Sequence, residues 1–114
     1  MAIDRSLLSG STTMLILKLL EKRDMYGFEM IEQLSEQSKN VFSLKAGTLY
    51  PLLHDLEVKG MLRSYDSEGR GRMRKYYTLT NDGHRLSEDK KKEWHEFSSA
   101  IEDVLKGGAH CEQA

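Results

Sequence analysis

A small, mostly helical α+β domain is what this sequence predicts, with one β-hairpin near its middle and a long helix at its end. Three observations carry that prediction. The stretch from Phe42 to Thr80 reads as a helix stopped at Gly60, a short strand, a basic Gly-Arg loop and a second strand. Upstream, apolar residues recur at helical spacing in two runs parted by Arg23-Asp24. Downstream, Trp94, Phe97, Ile101 and Val104 step by three, four and three, the narrow apolar seam of a coiled-coil helix.

The elements follow in order. Ser11 or Thr12 can cap a first helix running through Lys22. Met14, Leu15, Leu17, Leu19 and Leu20 make that helix apolar nearly all round, so it belongs at the centre of the core. A second helix runs from about Tyr26 to Gln37, with Phe28, Ile31 and Leu34 at three-residue steps and Met30 beside them. Ser35 to Asn40 is the turn. A third helix starts near Lys45 and ends at Gly60, a glycine just past the last helical turn. Its buried face is Leu49, Leu52, Leu53 and Leu56, which leaves Thr48, Pro51, His54, Asp55 and Lys59 facing outward. Pro51 belongs within the first turns, where its missing N–H costs least, or it bends the helix.

Leu62 to Asp66 and Arg74 to Leu79 carry the β-formers of the hairpin, and Ser67 to Gly71 supplies the turn. The two-residue period places Tyr77 and Leu79 on one face, Tyr76 and Thr78 on the other. Thr80 or Asn81 caps the last helix, which reaches about Lys106; Gly107-Gly108 ends it and residues 107–114 form a disordered tail. A helix followed at once by a hairpin with a cationic tip is the reading head of a winged helix-turn-helix, here residues 1–80. Residues 81–106 are then a C-terminal dimerisation helix.

Charge supports the division. The net charge of the 114-residue chain is −1, which by itself does not suggest a polyanion partner. Its distribution does. Residues 39–75 hold eight Lys/Arg against Asp55, Glu57, Asp66 and Glu68, a net of +4. From Asn81 onward eight Asp/Glu face five Lys/Arg, a net of −3. Such polarity steers a polyanion to one region. Cys111 is the single cysteine, so no intrachain disulfide framework exists and a reducing cytosol is expected. Asp4, Ser6, Ser9 and Ser11 interrupt any apolar leader, and the run Met14 to Leu20 contains Lys18 and is far too short to span a bilayer. His54, His84, His95 and His110 are scattered without metal-ligand spacing, and no nucleophile elbow or phosphate loop gathers the Ser, His and Asp residues; no enzyme activity, metal or cofactor is expected.

At this point the residues carry a resemblance. LKAGTLYPLLHDLEVKGML followed by RKYYTLTNDG, together with MYGFEMIEQL in the second helix, resembles the PadR family of bacterial transcription regulators over roughly residues 5 to 105. The single last helix resembles the family's small subgroup. The resemblance implies a bacterial, cytoplasmic winged-helix homodimer that represses a promoter by binding near-palindromic double-stranded DNA, often released by a small aromatic or drug-like effector, with no membrane partner. A protein–protein adaptor using the same hairpin against an acidic partner is the alternative.

Each candidate residue has two readings. Arg70, Arg72, Arg74 and Lys75 put four cations around Gly69 and Gly71, fit for phosphate or a narrow minor groove, or they form a solvated loop. Lys45 and Thr48 sit where a helix N-terminus favours phosphate, and Thr48 can instead be a cap hydroxyl. The resemblance implies that Tyr50 and Pro51 lie at the DNA face; Tyr50 can equally pack at the core rim. His54 reaches a base edge or is merely exposed. Tyr26 bonds a phosphate through its hydroxyl or staples onto the core. Lys39 is a backbone-contact candidate in the turn. Trp94, Phe97, Ile101 and Val104 are the dimer seam, and Trp94 with its two-fold mate would make a flat-walled slot for a planar effector, as the resemblance to drug-responsive members implies.

Overall fold

The computed structural model describes the chain from residue 5 to residue 107. Cys111 and residues 108–114 of the expected tail lie outside the described residues. The elements are α1 (Arg5–Lys22), β1 (Met25–Tyr26), α2 (Gly27–Gln37), α3 (Ala46–Val58), β2 (Leu62–Gly69), β3 (Arg72–Leu79) and α4 (Asn81–Leu105). The strands form one antiparallel sheet in the order β1-β3-β2. Four helices around a small three-stranded sheet make a winged helix-turn-helix, as the sequence predicts.

Helix α1 starts earlier than the Ser11 or Thr12 cap expected for it. Thr12 is buried within the helix, not at its start. Thr12, Ile16, Leu17, Leu19 and Leu20 are all buried while Gly10, Lys18 and Lys22 are exposed, so packing of the core-facing side carries α1 through a Gly-Ser-Thr run that local propensity alone would end. Met30 and Leu34 of α2 join this core, with Leu49, Leu53 and Leu56 of α3 and Leu62, Tyr77 and Leu79 of the hairpin. Phe28 departs from the expected apolar face: it is exposed, and Gly27, Met30 and Leu34 are the residues of α2 that turn inward.

Helix α3 ends as Gly60 dictates. Gly60 has φ +80°, its N–H bonds Glu57 O at 3.0 Å and the Met61 N–H reaches Leu56 O at 2.9 Å, the paired closure of a left-handed helix stop. That stop turns the chain into β2 within two residues. Pro51 is the sixth residue of α3, past the first turn, so the Gly47 carbonyl loses its helical partner.

The hairpin is longer and its turn tighter than expected. Pairing runs from Leu62↔Leu79 to Gly69↔Arg72, so only Arg70 and Gly71 form the turn. Both have positive φ, 52° and 81°, which suits the twist of a two-residue hairpin. Tyr77 and Leu79 face the core as the pleat requires. The two-residue β1 had no sequence signal of its own; it exists because Met25 and Tyr26 pair with Tyr77 and Tyr76.

Helix α4 begins with Thr80 as its cap, whose hydroxyl accepts the Gly83 N–H at 3.0 Å and donates to Gly60 O at 2.7 Å. Two turns later α4 is clasped to α1. Ser87 is fully buried and its hydroxyl donates to the Glu21 carboxylate, with Lys91 Nζ 3.2 Å from Glu21 Oε2 and Lys18 Nζ 3.4 Å from Oε1. The Ser87 bond, opposed by desolvation and aided by Lys91 and Lys18, holds the Glu21 carboxyl below its ordinary value of 4.5. A depressed carboxyl stabilises the fold above its unfolded pKa, and that stability is lost as pH falls through the depressed folded value. Glu21→Gln is therefore expected to lower stability by on the order of 1 kcal/mol near neutral pH. The deficit should shrink towards zero in strong acid. Urea midpoints of both proteins at the two pH values check it; an equal deficit at both would reject the assignment.

Candidate nucleic-acid interface

No side chain caps α3, so its first amides and the positive end of its dipole stay open to an anion. Lys45, the residue before the helix, is exposed and has no ion pair among the described residues. Thr48, Pro51 and His54 are exposed on the outer side of α3, and neither the Thr48 hydroxyl nor the His54 ring bonds any described group. Tyr50 is 46% exposed on the same helix, and its hydroxyl end lies against Gly27. It has one side at the surface and one on α2.

The wing cations have unequal roles. Arg72 is exposed and without an ion pair among the described residues. Arg70, at the tip, donates to Glu32 of α2 at 2.6 Å and lies 6.0 Å over the Phe28 ring. Arg74 is half-buried: its Nε donates to Gly69 O at 3.1 Å and its guanidinium covers the Tyr26 ring at 4.7 Å. Lys75 lies 3.7 Å from Glu57 and over the Tyr77 ring. Four cations in sequence thus become one free cation and three engaged with their own fold.

Tyr26 is 4% exposed, edge-on to Tyr76 at 5.4 Å, and its hydroxyl is buried without a partner. The ring packs beneath the Arg74 guanidinium, as the staple reading has it, and the hydroxyl is not at the surface of this arrangement. Tyr76 stacks in turn on Tyr65, whose hydroxyl donates to Asp24 at 2.6 Å. That bond pushes the Tyr65 phenol up to about 12. Lys39 lies exposed in a left-handed turn with Asn40, φ 53° and 67°.

The far half of α4 offers a second surface. Trp94 is 47% exposed and Phe97 57%, and Ile101 and Val104 follow them into solvent. The Trp94 and Phe97 rings are 6.1 Å apart at a tilt. Phe97, Ala100, Ile101, Val104 and Leu105 line a shallow apolar hollow of about 280 Å³. A larger polar hollow of about 440 Å³ lies elsewhere, between Arg63 and the start of α4, and holds none of the expected site residues. Glu32 and Phe28 are what sequence reasoning missed here. No local pattern ties them to Arg70, which is 38 residues from Glu32 in the chain.

Comparison with known proteins agrees with the geometry. Residues 16–89 match the family described as "Transcriptional regulator PadR-like family". A transcriptional regulator of Mycobacterium tuberculosis is 36% identical over 76 residues, 66% of this chain and 67% of that one. A PadR family transcription regulator of Clostridium difficile has a similar structure, with TM-score 0.74 at 38% identity, covering 83% of this chain and 98% of its own. A PadR family regulator from Eggerthella lenta superposes with TM-score 0.77 at 31% identity, covering 88% and 86%. This chain belongs to the PadR-like family of transcriptional regulators.

Proposed function

We propose that the chain is a homodimeric repressor that binds a near-palindromic operator. Residues 1–80 read the DNA and residues 81–106 join two copies. The observation that carries this is the outer side of α3, where Thr48, Pro51 and His54 are exposed beyond an uncapped helix start flanked by Lys45. Side chains there choose sequence, while Lys39, Lys45, Arg72 and a released Arg70 hold phosphate. Arg74 shapes the wing from within, while Lys75, exposed beside Glu57, stays among the phosphate candidates. Two-fold symmetry sets the half-sites about 10 base pairs apart, or a multiple of that.

Selection from a random duplex pool with the full chain tests this. Enrichment of an inverted repeat is the expected result. A protein that enriches nothing and fails to retard random duplex at low salt is a protein–protein adaptor instead.

The exposed Trp94 supports the ligand-release part of the reading. With its mate across the dimer axis it forms walls on which a planar aromatic effector stacks. A planar cationic dye should quench its fluorescence and weaken operator binding. Trp94→Ala should abolish the response and leave DNA binding largely intact. Unchanged emission at dye concentrations well above micromolar rejects the effector.

A further inference from the structure

The start of α2 touches the outer side of α3 at one place. Gly27, the first residue of α2, is buried, and what buries it is the Tyr50 ring. A methyl group on Gly27 would lie 2.6 Å from Tyr50 Cζ and 2.7 Å from its Cε1, with the hydroxyl closer still. Carbon atoms do not approach so closely, so the ring occupies the space that any side chain at position 27 would take. The atoms in conflict are the far end of the Tyr50 side chain, not backbone. Rotation about its χ angles can relieve the conflict without unfolding either helix, and it moves the ring away from α2.

We propose that Gly27 is a positioning residue for DNA recognition: its missing side chain lets the hydroxyl end of Tyr50 rest on α2 and so fixes where that ring stands on the reading surface. The inference rests on the DNA-binding reading above. Tyr50 lies one turn before His54 on α3, so its ring borders that side chain. Held against α2, it leaves the outer side of α3 open to a groove. Driven outward, it stands where base edges would approach. The conformational freedom of glycine is not what position 27 requires. Alanine is the better helix former, by about 1 kcal/mol in a helix interior and by part of that at the first position of α2. Occupied space is the reason alanine does not fit.

Two measurements on the full chain test this with four proteins: wild type, Gly27→Ala, Tyr50→Ala and the double variant. In the Tyr50→Ala background, Gly27→Ala should raise the thermal midpoint by a few degrees, because the conflict is gone and helix propensity remains. In the Tyr50 background it should fail to do so. On the selected operator, Gly27→Ala should weaken binding at least tenfold, with the salt dependence unchanged because phosphate contacts are intact. The double variant should bind no worse than Tyr50→Ala alone. Equal effects of Gly27→Ala in both backgrounds, on midpoint and on affinity, overturn the proposal. So does wild-type affinity in Gly27→Ala. If the wild type selects no DNA, the DNA reading and the positioning role fail together, while the midpoints still report whether the ring and the glycine are coupled.

Discussion

A chain cut before Glu93 is expected to sediment as a single copy, lighter than the 13.1 kDa of one full-length copy, while the full chain sediments near twice 13.1 kDa. The cut removes Trp94, Phe97, Ile101, Val104 and Leu105, the exposed large apolar side chains of α4. Nothing in the described fold covers them. The clasp between Ser87, Lys91 and Glu21 lies before the cut, so the head keeps its α1–α4 contact. Apolar burial is worth about 25 cal/mol per Å², so these side chains are the part of α4 whose burial against a second copy would favour association. Loss of the dimer uncouples the two reading heads. Linked binding raises affinity by on the order of 10² to 10⁴-fold, and the truncated chain should lose a factor in that range on a palindromic operator but little on a single half-site. Phe97→Glu with Ile101→Glu, which leaves α4 at full length, should reproduce the effect by placing charge in the seam. Sedimentation velocity and operator titration are the measurements. A truncated or charged variant that remains dimeric and grips the palindrome as tightly as the full chain would refute the role given to α4.

The exposed apolar stripe of α4 was legible because its signal is periodic and its residues share one helix. The same holds for the stop at Gly60, where the required positive φ lies next to the last turn. The hairpin was legible in kind but not in length. Strand ends depend on cross-strand pairing, and Gly69 pairs with Arg72 because the two-residue turn at Arg70 and Gly71 lets it. The start of α1 was not legible, since Gly10 and its Ser/Thr neighbours signal a break that packing around Thr12 and Ile16 overrides. Roles within the charged wing were least legible of all. Counting cations treats Arg70, Arg72, Arg74 and Lys75 alike. Glu32, Tyr26 and Glu57, each distant in sequence, then sort them into free and engaged. Long-range partners leave no local pattern, and that is where reading the chain by itself stops.

The same sorting sets the expected behaviour of the wing. Suppose Lys39, Lys45, Arg70 and Arg72 each meet one phosphate in both copies. A dimer with about eight contacts has a salt slope near −7, so its affinity falls on the order of 10⁴-fold between 50 and 200 mM salt. Arg70→Ala with Arg72→Ala removes about four contacts, halves the slope and leaves a fall on the order of 10²-fold over the same range. The loss should be similar on operator and on random duplex, because phosphate contacts position the protein without reading sequence. Arg70 carries a further condition. Its partner in the free protein is Glu32, at 2.6 Å, and that bond must open before a phosphate can take its place. Both groups are substantially exposed, so the pair is weak and its exchange is easy. Glu32→Gln should therefore strengthen DNA binding several-fold while Arg70 is present and much less in Arg70→Ala, where no cation awaits release. A general repulsion between Glu32 and DNA predicts equal gains in both backgrounds, so the double-mutant cycle separates the two causes. Titrations of the cycle's four proteins and of the double arginine variant across salt concentration decide it: unchanged slope in the double arginine variant removes the wing from the interface, and equal gains from Glu32→Gln remove the competition between carboxylate and phosphate.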